Sequence, residues 1–290
     1  MKNQHVPVLL SEVLAFLNPR PGESYLDLTA GYGGHAKSIL DVTLNYKDSV
    51  LVDRDDFAIT SLKQKFGDKI TTMHTDFYGA VLQLIECGKT FDIILADFGV
   101  SSPQLDNSTR GFSFKNDGPL DMRMDRTQDL TAETIVNHWS ERELADIFMR
   151  YGEEKPSRAK LLAHEIVTHR PVKTTSELAE IILNKSGYSR VHPATKVFQA
   201  IRIAVNDELS EIEHTLPLLP KLLNQNGRVG VITFHSLEDR LVKDYFKEAS
   251  SHGEESILSI ITKKPIIAGS DELVINPRAR SAKLRVATRN

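Results

Sequence analysis

From residue 24 to residue 98, short apolar runs alternate with segments in which apolar residues recur every three or four positions. A short amphipathic segment with Val13, Leu14 and Leu17 precedes this pattern. The apolar runs predict strands, and the periodic segments predict helices. The strands are predicted at 24–29, 49–53, 70–74 and 91–97, and the helices at 35–43, 56–66 and 78–87. Strands joined by helical crossovers form a parallel sheet, so this order predicts an α/β domain.

The strand pattern disappears between about 130 and 205 and returns afterwards. Helix start signals replace it: Ser140 with Glu143 and Thr174 with Glu177 have the spacing of capping boxes. The elements predicted beyond it are a helix at 207–224, a strand at 227–234, a helix that starts at an N-cap pair of Ser236 and Asp239 and continues to about 250, and strands at 256–262 and 283–288. We therefore predict an α/β domain in two parts, 1–109 and 206–290, which a helical domain at 110–205 interrupts.

A glycine turn follows the first predicted strand. Gly31, Gly33 and Gly34 lie between that strand and the first helical segment. Strand, glycine turn and helix form the layout of a nucleotide-binding crevice, because glycine lets a ligand approach the backbone. The spacing is not G-x-G-x-x-G, since Ala36 stands where the third glycine would be. The turn alone is also compatible with a purely structural strand–helix connection.

Acidic residues stand at the ends of the four predicted strands. They are Asp27, Asp53, Asp76 (followed by Phe77) and Asp97. Ligands of open α/β sheets bind at the carboxyl ends of the strands, so this placement indicates one crevice. Asp53 comes twenty residues after Gly33 and suits the two hydroxyls of an adenosine ribose. Phe77 could flank an adenine, although core packing explains a lone phenylalanine equally well.

Composition restricts the class of protein. The chain has 290 residues with a net charge of −3, so any nucleic-acid site must be a local basic patch. The single cysteine, Cys87, excludes an intrachain disulfide and a cysteine metal cluster, and we predict no metal. No apolar run reaches the roughly 18 residues of a membrane span, which favours a soluble, cytoplasmic protein without a membrane partner.

Two segments could supply local positive charge. The helical segment 193–206 carries Lys196, Gln199, Arg202 and Asn206 on one side, which is also the pattern of an ordinary solvated helix face. No acidic residue follows Glu272, whereas several basic residues do. The basic residues are Arg278, Arg280, Lys283, Arg285 and Arg289.

Six separated motifs together resemble the RsmH (MraW) family of 16S ribosomal RNA (cytosine-N4)-methyltransferases. The motifs are Asp27-x-Thr29-x-Gly31-x-Gly33-Gly34-His35, Gly99-Val100-Ser101-Ser102-Pro103-Gln104-Leu105-Asp106, Arg110-Gly111-Phe112-Ser113-Phe114, Pro119-Leu120-Asp121-Met122-Arg123-Met124, Phe234-His235-Ser236-Leu237-Glu238-Asp239-Arg240 and Asn276-Pro277-Arg278-Ala279-Arg280-Ser281. They occur in the family's order, and the resemblance extends from His5 to about Arg285.

The resemblance implies a class I S-adenosylmethionine-dependent methyltransferase, with a Rossmann-like sheet of seven strands and an inserted all-helical domain. It implies S-adenosyl-L-methionine as cofactor and 16S rRNA of the small ribosomal subunit, in its decoding region, as partner. The implied cofactor contacts are Gly33, Gly34, His35, Asp53, Phe77, Asp97 and Gln104. The chain departs from the family at Phe98, at Lys155-Pro156 and in a short segment 251–272, which affects detail of the insertion and the rim.

For the RNA, we expect a cleft between the two domains. Lys196, Arg202, Arg278 and Arg280 would neutralise phosphates there, and Ser101, Ser102 and Asp97 would face an unstacked cytosine. Asp97-Phe98-Gly99-Val100 is not the Asp/Asn-Pro-Pro-aromatic motif of many amino-methyltransferases, so we assign no catalytic base. Two alternatives remain: a nicotinamide-dependent oxidoreductase and a non-catalytic ribosome-assembly factor. The sequence leaves monomer and homodimer open.

Overall fold

The computed structural model describes residues 7–185, 192–251 and 253–290. The chain divides into two compact units, one formed by Met1–Gly99 with Leu209–Asn290 and the other by Val100–Glu208. The divisions predicted from the sequence lie at 110 and 205 instead. The sequence also predicts a helix stop at Ser186-Gly187; that stop and His5, the first residue of the family resemblance, lie outside the described residues.

The first unit begins with regular alternation of helices and strands. Its elements are α1 Leu10–Leu17, β1 Tyr25–Asp27, α2 Gly34–Thr43, β2 Val50–Asp53, α3 Asp56–Phe66, β3 Thr71–His74, α4 Phe77–Glu86 and β4 Phe91–Asp97. The second unit contains α5 Ser102–Asp106, α6 Ala132–His138, α7 Glu141–Arg150, α8 Pro156–Thr168, α9 Thr175–Asn184 and α10 Ala194–Asn206. The chain then returns through α11 Glu208–Thr215, β5 Leu223–Thr233, α12 Ser236–Ala249, β6 Leu258–Ile260, β7 Ile266–Ile267, α13 Ser270–Ile275 and β8 Lys283–Arg289.

One sheet organises the first unit, in the order β3-β2-β1-β4-β5-β8-β6. The pairings of β1 through β5 are parallel, and β8 runs antiparallel to β5. The α/β class and the seven-stranded path are therefore confirmed. The two-residue strand β7, which pairs with β8, is an eighth strand that the sequence analysis did not predict.

The central strands of the sheet are buried on both faces, which explains their nearly continuous apolar runs. Along β4, Ile94 and Ala96 belong to the apolar cluster on one face, whereas Ile93 and Leu95 belong to the cluster on the other. This alternation follows from the pleat, in which successive side chains point to opposite faces. The carboxyl ends of β1, β2 and β4 therefore belong to strands that apolar clusters pack against on both faces.

The predicted helix at 207–224 is wrong over its second half. The α-helix α11 ends at Thr215, a 3₁₀-helix spans Leu216–Leu222, and β5 begins at Leu223 rather than at 227. Pro217 and Pro220 explain the change, because proline has no backbone N–H and its ring clashes with the preceding helical turn.

The second unit is helical throughout its regular structure. Both predicted capping boxes, Ser140 with Glu143 and Thr174 with Glu177, are confirmed. A single apolar cluster that includes the fully buried Phe148 holds these helices together. Within the described residues 130–185 and 192–200 there is no strand. No helix in the described ranges of either unit is long and apolar enough to cross a membrane.

Candidate cofactor and active site

The glycine turn after β1 leaves no room for side chains at two positions. Gly33 has a φ of +70°, and a Cβ there would lie 2.8 Å from the Phe66 ring. A Cβ at Gly34 would lie 2.5 Å from Cγ of Pro7. The turn is therefore packed on both sides, and only glycine allows its backbone to follow this path into α2.

Asp53, at the end of β2, is hydrogen-bonded to the same turn. The Gly31 N–H donates to its Oδ2 at 2.7 Å, and the Asp55 N–H donates to its Oδ1 at 2.8 Å. Burial raises the pKa of Asp53 to about 6, although these two hydrogen bonds favour the charged form. A carboxylate oxygen can accept more than one hydrogen bond, so both oxygens retain capacity for a second donor such as a ribose hydroxyl.

Asp97, at the end of β4, has the most perturbed environment of the predicted site residues. Its backbone N–H donates to Oγ1 of Thr29 at 2.5 Å, which places the carboxyl group beside the glycine turn. Burial, followed by the charges of Asp27 and Glu238, raises the pKa of Asp97 well above its ordinary value. Its Oδ1 is buried and accepts no hydrogen bond from the part of the chain that the structure describes. A buried carboxyl oxygen in this state fits a ligand that brings a cation or a donor.

His35 connects the start of α2 to Asp97. Its Nε2 lies 2.9 Å from the Val8 carbonyl oxygen and therefore donates to it. Its Nδ1 lies 3.7 Å from Oδ2 of Asp97, beyond hydrogen-bonding distance. His35 is buried, so the two interactions fix the orientation of the ring within the turn.

The other two strand-end aspartates have structural roles in the fold. Asp27 is buried and accepts hydrogen bonds from the Tyr25 hydroxyl at 2.7 Å and from the Thr29 N–H at 3.2 Å. The Asp76 carboxylate accepts from the Gly79 N–H at 2.7 Å and caps α4. Of the four acidic strand ends, Asp53 and Asp97 are the two with a predicted cofactor contact.

Phe77 begins α4, and its ring packs against Phe98 with a centroid distance of 5.3 Å. This contact supplies the core-packing explanation that the sequence left open. It also gives a reason for an aromatic residue at Phe98. A contact between Phe77 and adenine stays a prediction.

The residues predicted in the loop after β4 lie at the start of α5, in the second unit. Ser101 and Gln104 form a capping box there, and the Ser101 N–H donates to Oε1 of Gln104 at 2.9 Å. Ser102 and Gln104 are both buried. The capping box fixes the backbone of this loop, whereas contacts of Gln104 with the cofactor and of the serines with cytosine stay predictions.

The motif 234–240 caps α12 differently from the sequence-based prediction. The N-cap is His235 rather than Ser236: the Glu238 N–H donates to Nδ1 of His235 at 3.4 Å. The fully buried Glu238 carboxylate accepts from the Phe234 N–H at 2.7 Å. Asp239, which was assigned to the cap with Ser236, instead pairs with β8. The partners of Asp239 are Nζ of Lys283 at 2.9 Å and Nε of Arg285 at 2.7 Å.

On the polar side of α10, Lys196 and Gln199 donate hydrogen bonds to the loop after α7. Lys196 Nζ donates to the Glu153 carbonyl at 3.1 Å, and Gln199 Nε2 donates to the Tyr151 carbonyl at 2.9 Å. Lys196 is exposed, so its ammonium group also reaches solvent. Its role as a phosphate contact stays a prediction.

The other two residues on the polar side of α10, Arg202 and Asn206, make their contacts within the second unit. Arg202 forms a two-point ion pair with the Glu208 carboxylate, with N–O distances of 2.8 and 2.7 Å. Asn206 is 2% exposed; its Oδ1 accepts from the Met124 N–H and its Nδ2 donates to the Met122 carbonyl, both at 2.8 Å. A phosphate at Arg202 would compete with Glu208, and that predicted contact is untested.

The basic C-terminal segment separates into two groups. Lys283 and Arg285 are engaged with Asp239, as described above. Arg278 and Arg280 lie in a 3₁₀-helix, Pro277–Ser281, and are exposed, while Ala279 between them is buried. The buried alanine anchors the turn and directs both arginines to the surface.

The family model that matches this chain is described as the MraW methylase family and covers residues 2–290. The chain belongs to the MraW methylase family. Proteins of Trichodesmium erythraeum and Gloeothece citriformis are each 48% identical to it, covering 98% of this chain and 98% and 94% of their own lengths. A Nostoc protein is 47% identical, over 98% of this chain and 92% of its own. All three are named ribosomal RNA small subunit methyltransferase H.

As a member of the MraW methylase family, the chain is an S-adenosylmethionine-dependent methyltransferase. The residues predicted for the cofactor in the first unit, which are Gly33, Gly34, His35, Asp53 and Asp97, surround the carboxyl ends of β1, β2 and β4. Sequence reasoning missed Glu238, in the first turn of α12, whose charge contributes, after burial and Asp27, to the raised pKa of Asp97. The spacing of Glu238 three residues after His235 could have revealed the cap if histidine had been considered as an N-cap.

Proposed function

We propose that this methyltransferase acts on N4 of a cytidine in the 16S ribosomal RNA of the small subunit. The observation that carries the proposal is the full-length match to relatives that bear the name ribosomal RNA small subunit methyltransferase H. The chain covers more than nine-tenths of the length of each of them. The N4 position is the one that the motifs of the RsmH family imply.

The cofactor site fits S-adenosylmethionine, whose positively charged sulfonium makes its methyl group electrophilic. Asp53 would accept hydrogen bonds from the ribose hydroxyls, because both its oxygens keep acceptor capacity. Asp97 would accept from a donor of the ligand through Oδ1, the buried oxygen described above. Gly33 and Gly34 would shape the turn beside the ligand, since Phe66 and Pro7 leave no room for a side chain at either position.

The cytosine amine is a poor nucleophile, because its lone pair is delocalised into the ring. The protein must therefore hold the nitrogen in line with the methyl group, a positioning effect that reaches roughly 7–11 kcal/mol at the extreme. The new N–C bond replaces the S–C bond, and the amine proton leaves to solvent. Ser101, Ser102 and Asp97 are the residues we propose to face the base, and we assign none of them as a base.

RNA binding would depend on local charge, because the net charge of the chain is −3. Arg278 and Arg280 are the strongest candidates for phosphate contacts, since both are exposed. Lys196 and Arg202 are secondary candidates. Lys196 is exposed but also holds a carbonyl, and Arg202 would have to leave its ion pair. The cytosine would be read in an unstacked state, as is usual for RNA bases.

Labelled methyl transfer tests the proposal. Purified small subunits that lack the modification, large subunits and free nucleosides are each incubated with the protein and labelled S-adenosylmethionine. We expect label in the small-subunit RNA alone, as N4-methylcytidine. Binding of S-adenosylhomocysteine but not NAD would at the same time exclude the oxidoreductase alternative. Cofactor binding without transfer to any subunit would favour the assembly-factor alternative and refute the proposal.

A further inference from the structure

Residues Pro7–Leu9, which we call the N-terminal strap, precede α1 and lie against the glycine turn. Val8 and Leu9 are both buried, and Leu9 is fully so. Leu9 has a φ of +55°, in the left-handed region that a leucine rarely adopts. A backbone conformation of this kind persists only where the surrounding contacts enforce it.

Two contacts join the strap to the predicted cofactor site. The Val8 carbonyl accepts from Nε2 of His35 at 2.9 Å. The ring of Pro7 fills the space above Gly34, where a Cβ would lie 2.5 Å from its Cγ. The position of the strap therefore sets the orientation of the His35 ring, whose Nδ1 faces Asp97 at 3.7 Å.

A third contact comes from the far end of the chain. The Leu9 N–H donates to Oε1 of Glu272 at 2.7 Å, across 263 residues of sequence. This N–H belongs to the N-cap of α1, where no side chain of the helix itself supplies a cap. Glu272 therefore satisfies a backbone donor at the strained residue, and a charged acceptor makes the stronger kind of hydrogen bond.

Glu272 lies on a lightly packed element. In α13, Val274 and Ile275 are 82% and 74% exposed, and Leu273 is only partly buried against the apolar cluster that includes Leu9. No side chain of α13 is fully buried. The hydrogen bond that Glu272 accepts from the strap therefore does not result from dense packing around this helix.

We propose that Glu272 is a positioning residue for the cofactor site. It touches neither cofactor nor substrate in this assignment; it acts through Leu9 and Val8 on the ring of His35. The inference rests on the proposed function, because the site that the strap orders is the S-adenosylmethionine site. Loss of the Glu272 carboxylate leaves the Leu9 N–H without its acceptor, releases the left-handed backbone, and removes the fixed acceptor of His35.

The first test is calorimetric titration of the full chain with S-adenosylhomocysteine. We expect Glu272→Ala to weaken binding about tenfold, within the range that loss of one charged hydrogen bond allows. Glu272→Asp should behave similarly, because its shorter side chain does not reach the Leu9 N–H. Glu272→Gln keeps an acceptor oxygen at the original distance and should stay within about threefold of wild type. Asp271→Ala, at the exposed neighbouring position, is the matched control and should bind as wild type does.

A double-mutant cycle with His35→Ala separates positioning from general destabilisation. If Glu272 acts through His35, Glu272→Ala should cost less than about twofold in binding once His35 is absent, since coupled residues are not additive. In methyl-transfer assays Glu272→Ala should raise KM for S-adenosylmethionine more than it lowers kcat. Unchanged binding in Glu272→Ala and Glu272→Asp, or the same tenfold loss with and without His35, would overturn the inference.

Two further results keep the test decisive. If Glu272→Ala does not fold, as judged by its thermal unfolding midpoint, the comparison of Glu272→Asp with Glu272→Gln carries the same prediction. A wild-type protein that does not bind S-adenosylhomocysteine would refute the proposed function itself. A wild type that binds, with all four variants binding equally, would refute only the role of Glu272.

Discussion

Replacing Asp27 with asparagine should remove a large part of the pH dependence of the protein's stability. Asp27 is 1% exposed at the end of β1, and burial raises its pKa from 3.8 to about 7. The Tyr25 hydroxyl and the Thr29 N–H donate to its carboxylate and oppose this shift without cancelling it. Asparagine has nearly the same shape and can still accept from Thr29, but it does not titrate.

The sign of the effect follows from proton linkage. Because the folded-state pKa of Asp27 lies above the unfolded value, the folded protein holds a proton that the unfolded chain has lost between these two values. The stabilisation from this proton is fully present below about pH 4 and is lost as the pH rises through about 7. A shift of roughly three pKa units corresponds to about 4 kcal/mol.

Urea unfolding of wild type and Asp27→Asn at several pH values between 4 and 8 measures this effect. The free energy of unfolding of the variant, relative to wild type, should rise by up to about 4 kcal/mol across this range. The variant has no titrating group at position 27, so the pH dependence of the difference reports the titration of Asp27 in wild type.

Asp92 lies at the amino-terminal end of β4. Its pKa is shifted in the opposite direction from that of Asp27, so it provides a control. Burial opposes the shift, but hydrogen bonds from Asn224 and Ser24 and the charge of Arg228 lower the pKa of Asp92. Asp92→Asn should therefore lose stability relative to wild type at neutral pH, and the difference should shrink as the pH falls through the folded pKa. Parallel pH profiles for wild type and Asp27→Asn would refute the reasoning about Asp27.

Three other predictions concern the site and its support. Asp53→Ala should weaken S-adenosylhomocysteine binding by about 1.5–3 kcal/mol in calorimetry, because it removes the proposed ribose acceptor. The double variant Arg278→Ala with Arg280→Ala should weaken binding of the small-subunit RNA and reduce its log–log salt slope by about 0.7 per lost phosphate contact, with cofactor affinity unchanged. Asn206→Ala should lower the free energy of unfolding by about 2–4 kcal/mol, because two buried backbone groups lose their partners.

Each of these predictions has an outcome that contradicts it. A folded Asp53→Ala protein with wild-type affinity would remove Asp53 from the ribose site. An unchanged salt slope in the double variant would place the phosphate contacts away from Arg278 and Arg280. An Asn206→Ala protein as stable as wild type would mean that the Met124 N–H and the Met122 carbonyl find other partners when the amide is absent.

The central strands of the sheet were predictable because they are buried on both faces and end at polar residues. The run Phe91–Asp97 was predicted with the bounds that β4 has in the structure. The failure at α11 has a local cause that was visible in the sequence, since Pro217 and Pro220 exclude a continuous α-helix. The antiparallel strand β7 has only two residues, Ile266 and Ile267, and so short a run has no periodicity to detect.

For the candidate site, the sequence predicted residues at strand ends but not their partners. Asp97 was identified by topology, whereas part of the rise in its pKa comes from the charge of Glu238, on a helix far away in the chain. The sequence pattern is compatible with Asn206 on a solvated helix face, whereas its side chain is buried and accepts a hydrogen bond from the Met124 N–H. The bond between Leu9 and Glu272 spans 263 residues, a separation at which no local pattern indicates a contact.

Nucleoside mass spectrometry of 16S ribosomal RNA tests the central claim most directly. RNA is taken from cells that contain the gene for this chain, from cells that lack it, and from deleted cells that carry the gene again. The proposed function predicts N4-methylated cytidine in the first and third samples and its loss in the second. The same amount of N4-methylated cytidine in all three samples would contradict it.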